Sequence, residues 1–374
     1  MTMRITKHIS KFFSLIFACL SCNTANLQQE LGVETEIVDF SRLKKVETDY
    51  FPDNLINSIS YVILDDSLDD YHFRDIDILK TTDNRIYILD AMLRKLVVFN
   101  SDGLGIGKVG SIGQGPEEYL RIHDFCLDDA ENIYFRDGTG GNDRLFVFDK
   151  ELNFVSVRRM PFNVSFFQRL SNNKFLFALH SWNKGDNASA KIAITNNEFK
   201  TEKTYMQYDK YFDENRFFGY YTFAVFKDKI LYNQPINNFV YEFSTEGEVL
   251  KAYYFDFGNR NVPNEDKIDV TANWDNFQRY TFIRKIALIN DKFIAGQLLD
   301  ERKVKAFIVD RTENTVYVFD RRENGFFDFL WYNDNRLVSC IYPGFETANN
   351  FDLPQEVIEH LEAENFVLCM YELK

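Results

Sequence analysis

One unit recurs six times along this 374-residue chain: an apolar strand-like run, a tight polar turn of Asp or Asn with Lys or Arg, and a second apolar run. It reads DIDILKTTDNRIYILD at 75–90, DFCLDDAENIYFRD at 124–137 and FFQRLSNNKFLFAL at 166–179. It returns as TFAVFKDKILYN at 222–233, FIRKIALINDKFIAGQ at 282–297 and FFDFLWYNDNRLVSCI at 326–341. The first apolar residues after the turns are Ile86, Ile133, Phe175, Ile230, Phe293 and Leu337, with gaps of 47, 42, 55, 63 and 44 residues. A unit this short cannot bury its apolar face alone and must stack on its own copies. Six near-regular copies of short period-two strands predict an all-β fold, a six-bladed β-propeller, over a sandwich with irregular repeats.

The second half of each unit fits the same blade. RKLVVFNSDG (94–103) alternates and ends in a turn. NFVYEFSTEGEVLKAYYFDF (238–257) holds two strands joined at Glu246-Gly247, a hairpin signal. The 38 Phe and 20 Tyr suit pleated faces. A propeller has to close its ring, and an N-terminal strand paired with the last blade removes the free edge. Either Glu34 to Leu43 or Ile59 to Leu64 can supply that strand, with Asn365 to Leu373 as partner. Near the C-terminus QEVIEHLEAEN, preceded by Asp352 and Pro354, predicts one short helix decorating the last blade.

Ahead of the repeats, Arg4, Lys7 and Lys11 precede an apolar stretch, Phe12 to Leu20, that exits through small residues and cysteine (FACLSC). This is the layout of a secretory signal, too short for a comfortable span. Cysteine after small residues has the form of a lipobox. Cleavage before Cys22 leaves the polar run that follows as a tether, and Cys19 is the alternative lipidation site. The expected organisation is a signal peptide at 1–22, a flexible tether at 23–33 and the propeller at 34–374. The expected address is the bacterial cell envelope, as an outer-membrane or periplasm-facing lipoprotein held to the membrane through its lipid alone. Cys126, Cys340 and Cys369 each lie in an apolar run and read as buried thiols. A formal charge of −14 with no basic stripe argues against nucleic acid as a partner.

Between the first two copies lies DGLGIGKVGSIGQGPEEYLRIHDF. The stretch IGQGPEEY, then DF…D…NIYFRD, resembles the NHL-like six-bladed β-propeller family of bacterial lipoproteins. SISYVILDDS (58–67), NNFVYEFSTEGEVLKAYYFDFGNRNVP (237–263) and ENFVLCMYELK (364–374) carry the same resemblance over nearly the whole mature chain. The commoner form of the motif has Gly where this chain has Glu117. The resemblance implies the fold and a surface location, and no particular activity.

Candidate chemistry is sparse. GxSxG is absent, and the glycines of GLGIGKVG lie between strands, which excludes a dinucleotide fingerprint. Arg74 and Arg121 stand at the same offset, twelve residues ahead of Ile86 and Ile133. With Tyr119, His123 and Arg169 they form the expected ligand-binding set at the channel mouth, where blade-start loops meet. Guanidinium forks grip carboxylates and aromatic faces stack on rings, so a small molecule, glycan or peptide fits, as does another envelope protein. The reading is a binding or scaffolding propeller, in nutrient (glycan or peptide) handling, with no cofactor assigned and binding favoured over catalysis. The alternative is a propeller hydrolase or lyase using a channel-bound Ca or Zn ion. For zinc the candidate ligands are His72, His123 and His180, although His72 and His123 lie at unequal offsets from their anchors. For calcium they are acids such as Asp75, Asp77, Asp90, Asp124 and Asp137. Asp90 and Asp137 close the second strands of their copies, a place for a capping role.

Overall fold

Period-two alternation turns one side chain in two toward each neighbouring blade, so the strands near the ring's interior are largely buried on both faces. The computed structural model describes residues 31–48, 51–138, 143–213, 223–226, 228–320, 331–333, 336–343 and 353–374. Cys19, Cys22 and the tether up to residue 30 lie outside the described residues. The described chain starts with three strands that belong to no blade of their own: β1 (Thr35–Asp39), β2 (Lys44–Glu47) and β3 (Ile56–Ile63).

The repeats then fold as antiparallel meanders. Blade one is β4 (Ile78–Thr81), β5 (Arg85–Asp90), β6 (Lys95–Asn100) and β7 (Gly105–Lys108), followed by a small parallel pair, β8 (Ser111–Ile112) and β9 (Glu118–Tyr119). Blade two is β10 (Ile122–Leu127), β11 (Ile133–Asp137), β12 (Arg144–Phe148) and β13 (Phe154–Arg159). Blade three is β14 (Val164–Arg169), β15 (Phe175–Leu179), β16 (Ala190–Thr195) and β17 (Thr201–Gln207). Blade four is β18 (Ala224–Phe226), β19 (Lys229–Asn233), β20 (Phe239–Ser244) and β21 (Val249–Asp256). Blade five is β22 (Thr281–Ile289), β23 (Phe293–Asp300), β24 (Lys303–Asp310) and β25 (Thr315–Asp320). Blade six is β26 (Trp331–Asn333), β27 (Arg336–Ile341) and β28 (Val367–Leu373), completed by β3. The fold is the six-bladed propeller that the repeat predicts, with the first strand of each blade innermost.

Ring closure resolves the choice left by the sequence. β3 pairs antiparallel with β28, Ile59 opposite Tyr371 and Ile63 opposite Val367. Glu34–Leu43 does something else. β1 adds to the outer edge of blade four, parallel to β21, and β2 to that of blade five, parallel to β25. Phe40 is clamped between them by Phe257 at 4.6 Å and Phe307 at 5.6 Å. Glu36 joins the two blades, accepting from Lys251 of blade four at 2.7 Å and Arg311 of blade five at 2.6 Å.

Two glycine-motif positions separate backbone need from habit. Gly103 has φ +89°, and a Cβ there would sit 2.0 Å from the carbonyl oxygen of Ile63, so the turn between β6 and β7 can press on β3 only without a side chain. Glu117 is not among the residues with positive φ, so glycine's freedom is not needed at the family's commoner Gly position.

The predicted helix is present as α2 (Gln355–Glu362), after α1 (Asn264–Lys267), a short helix in the 257–277 insertion. Val357 and Leu361 of α2 are buried against blade six. Cys126, Cys340 and Cys369 are free and buried, and Cys340 lies opposite Leu368 rather than Cys369. No helix among the described residues is long and apolar enough to cross a membrane.

Candidate functional site

Blade-start loops need anchors, because their backbone N–H groups leave the ladder just where the chain turns onto the channel face. Asp90, at the end of β5, accepts from the N–H of Arg74 at 2.7 Å and of Asp75 at 3.3 Å. Asp137, at the end of β11, accepts from the N–H of Arg121 at 3.0 Å and of Leu120 at 3.3 Å. It also receives Arg144 Nη2. Both aspartates are fully buried. Equal offsets in sequence therefore become equal anchoring, and Arg74 and Arg121 are presented, exposed, at matching corners of blades one and two.

Two other members of the expected set are elsewhere. Tyr119 is wholly buried, edge-on to Phe135 at 5.2 Å, in the core between blades one and two; burial pushes its phenol pKa well up. It cannot meet a ligand at the mouth, because β9 turns it inward. Arg169 is the last residue of β14, whereas Arg121 precedes the first residue of β10, so it lies at the opposite face of the ring. There its guanidinium rests on the ring of Phe175 and donates to Asn173 and Asn197.

The histidines divide similarly. His72 is exposed, and its carbonyl takes Lys95 Nζ at 2.7 Å. His123 and His180 come together across the junction of blades two and three, around a residue the sequence reading passed over. Arg136, on β11, is 8% exposed; Nη1 reaches Asp143 at 3.3 Å and Nη2 donates to the Ser165 carbonyl at 3.3 Å. His123 Nε2 is 2.8 Å from the Gly138 carbonyl, and Ser165 Oγ is 3.2 Å from His180 Nδ1. Burial first, then the Arg136 charge, lowers both imidazole pKa values, that of His180 to about 4. Both rings are neutral at pH 7. Among the described residues no group of three His, Cys, Asp or Glu side chains is placed to hold a metal, so His72, His123 and His180 do not converge.

The same junction opens into a groove of about 530 Å³, between the Pro161–Asn163 linker and the long loop after β15. Asn183 pins that loop: its Oδ1 accepts from the Asn163 N–H at 2.8 Å, and its Nδ2 donates to the carbonyls of Asn163 at 2.8 Å and His180 at 2.9 Å. Trp182 is thereby held out, 48% exposed, with one face stacked on His180 at 4.2 Å and 9° between planes. Lys184, Asp186 and Lys200 add charge around the groove. Such an arrangement offers a fixed aromatic platform with polar groups around it. Trp182 lies inside an insertion that loop length alone marks as a candidate, and a tryptophan in a long polar loop is the signal that could have found it.

The sequence profile of a family described as Domain of unknown function (DUF4934) matches residues 36–371, nearly all of the chain. The chain belongs to this family. No curated protein matches this DUF4934 member. Among solved structures, a "Putative exported protein" from Bacteroides fragilis NCTC 9343 aligns with a TM-score of 0.74 at 19% identity, covering 90% of this chain and 99% of that one. That likeness is one of fold. A member of the duf4221 family from Bacteroides vulgatus ATCC 8482 aligns at 8% identity with a TM-score of 0.46, covering 86% and 99%. Virginiamycin B lyase from Staphylococcus aureus aligns at 10% identity with a TM-score of 0.38, covering 70% and 74%. The last two scores carry no argument about activity.

Proposed function

We propose that this DUF4934 protein is an envelope-anchored binding propeller, NHL-like in lineage, that holds a ring-bearing polar ligand, an oligosaccharide, in the groove between blades two and three. The observation that carries the reading is Trp182, an exposed indole braced flat by His180 on a loop pinned by Asn183. A sugar ring stacks its C–H face on the free side of such an indole, and its hydroxyls meet the charged and amide groups around it. Preorganisation matters, because an aromatic already fixed in place loses little entropy on binding. Arg74, Arg121 and His123, on or beside the blade-start loops, add in this reading to the ligand-binding surface. In this reading residues 1–22 are a signal, lipid joins Cys22 (or Cys19), and residues 23–33 tether the propeller to the envelope. No metal and no nucleic acid take part.

A glycan array probed with the purified protein tests the site. The expected result is a set of retained oligosaccharides whose binding Trp182→Ala weakens at least tenfold. Retention unchanged by Trp182→Ala, or no glycan retained at all, overturns it. Radiolabelled palmitate tests the address. Label should be incorporated by the wild type and lost in Cys22→Ala; label persisting there moves the anchor to Cys19, and label absent from the wild type removes the anchor.

A further inference from the structure

The first strand of each blade places one residue at the same level of the ring, opposite the second residue after each turn. Those residues are Lys80, Cys126, Gln168, Ala224, Ile289 and Trp331. Five of the six are uncharged, so the fold does not call for a charge at this level. Lys80 is nonetheless a lysine and is 3% exposed. Its Nζ lies 5.3 Å from the ring centroid of Phe125 on blade two and 5.6 Å from that of Trp331 on blade six. Among the described residues it has no hydrogen-bond partner. Nor has Nε1 of Trp331, in a side chain that is 8% exposed. Gln168 Oε1, on blade three, is also unpartnered.

A buried donor without an acceptor is costly, and a buried ammonium more so. Burial lowers the Lys80 pKa and the Asp124 carboxylate opposes that shift; one of its oxygens is turned to blade three, where it takes the Phe167 N–H at 2.9 Å. Two orphaned donors, the Lys80 amine and the Trp331 indole N–H, thus stand at one level inside the ring, beside aromatic walls.

We propose that the interior of the ring holds a small inorganic anion, bound by the ammonium of Lys80 and the indole N–H of Trp331. A halide-sized ion is an acceptor suited to both donors. The faces of Phe125 and Trp331 cover the ammonium, and the ion takes the side they leave open. The site is separate from the groove at Trp182, and neither depends on the other.

The chain has three tryptophans, so Trp182→Phe with Trp274→Phe leaves Trp331 as the sole indole. The probe is iodide, titrated against gluconate at constant ionic strength, read by Trp331 fluorescence and by the thermal midpoint. The expected result is saturable quenching with a rise in midpoint, both lost in Lys80→Met and kept in Lys80→Arg. In the otherwise wild-type protein, Trp331→Phe should weaken the iodide-dependent midpoint rise about tenfold. Linear quenching with no change in midpoint in the wild-type background overturns the proposal and leaves an interior water or a neutral amine. If Lys80→Met does not fold, broadening of the chloride-35 NMR signal by the wild-type protein, reversed by iodide, decides: broadening supports the site and its absence overturns it.

Discussion

Blades four and five carry a fifth strand each, laid on by the N-terminal arm, while blades two and three end in their own outer strands. The strapped side is tied by a ladder, by Phe40 and by Glu36 between two cations. The bare side is tied by a buried Arg136–Asp143 pair and by a loop folded over the junction. An open edge with room beside it is where a ligand can enter; a covered one is where the fold is held shut. The two sides of one ring therefore divide anchoring from access.

The sharpest way to break that division is to remove the strap. Deleting residues 1–48 strips β1 and β2, leaves Phe255, Phe257 and Phe307 uncovered, and should cost roughly 5 kcal/mol or more. Hydrogen exchange should show protection lost in β21 and β25 and kept in β13 and β17. Equal loss around the ring would mean that the arm stabilises all blades alike. Phe40→Ala is the smaller form of the same cut, at about 3 kcal/mol in denaturant unfolding.

On the bare side, Asn183→Ala should cost about 1–3 kcal/mol locally, because it leaves the Asn163 N–H and carbonyl without their partner. Proteolysis of the 180–189 loop should quicken while the strapped blades stay intact. Acid should separate the two sides by pH window. The imidazole pKa values of His123 and His180 lie below the usual 6.5, so the unfolded chain binds more protons, and their contribution is lost as pH falls below about 6.5, for His180 toward about 4. The charges facing them are those of Arg136, Arg121 and Asp143. Burial raises the Glu36 carboxyl pKa, but the Lys251 and Arg311 cations outweigh that and hold it below 4.5, so the stability from these two ion pairs is lost only as pH falls below that value. Exchange followed from pH 7 to pH 4 should loosen the blade two–three junction first. The smallest effect belongs to Glu117→Gly, expected within about 0.5 kcal/mol, since that turn needs no left-handed residue.

The fold was legible because the same strand–turn–strand text is written six times, and Ile86, Ile133, Phe175, Ile230, Phe293 and Leu337 all mark second strands. Offsets told where Arg74 and Arg121 would sit, since Asp90 and Asp137 repeat with them. Nearness to a blade start failed for Tyr119 and Arg169. One lies on a two-residue strand that faces the core, and the other sits on the turn side of its blade, and local spelling distinguishes neither. Arg136 reads in sequence as one more strand residue; only stacking against blade three gives it His180 for a neighbour. The strap was half seen. Glu34–Leu43 was visible as a strand, but a parallel partner more than 200 residues away leaves no local mark.

The pairing of β3 with β28 also sets an order in time. β3, made before any blade meander, finds its partner only when β28 arrives. Until then blade six has no middle, and blades one and five each face a gap. A nascent chain is thus an open crescent until β28 is made, and becomes a ring in a single late event. Removing Val367–Leu373 would take away not an edge but the strand between β27 and β3, so these seven residues decide whether there is a closed molecule at all.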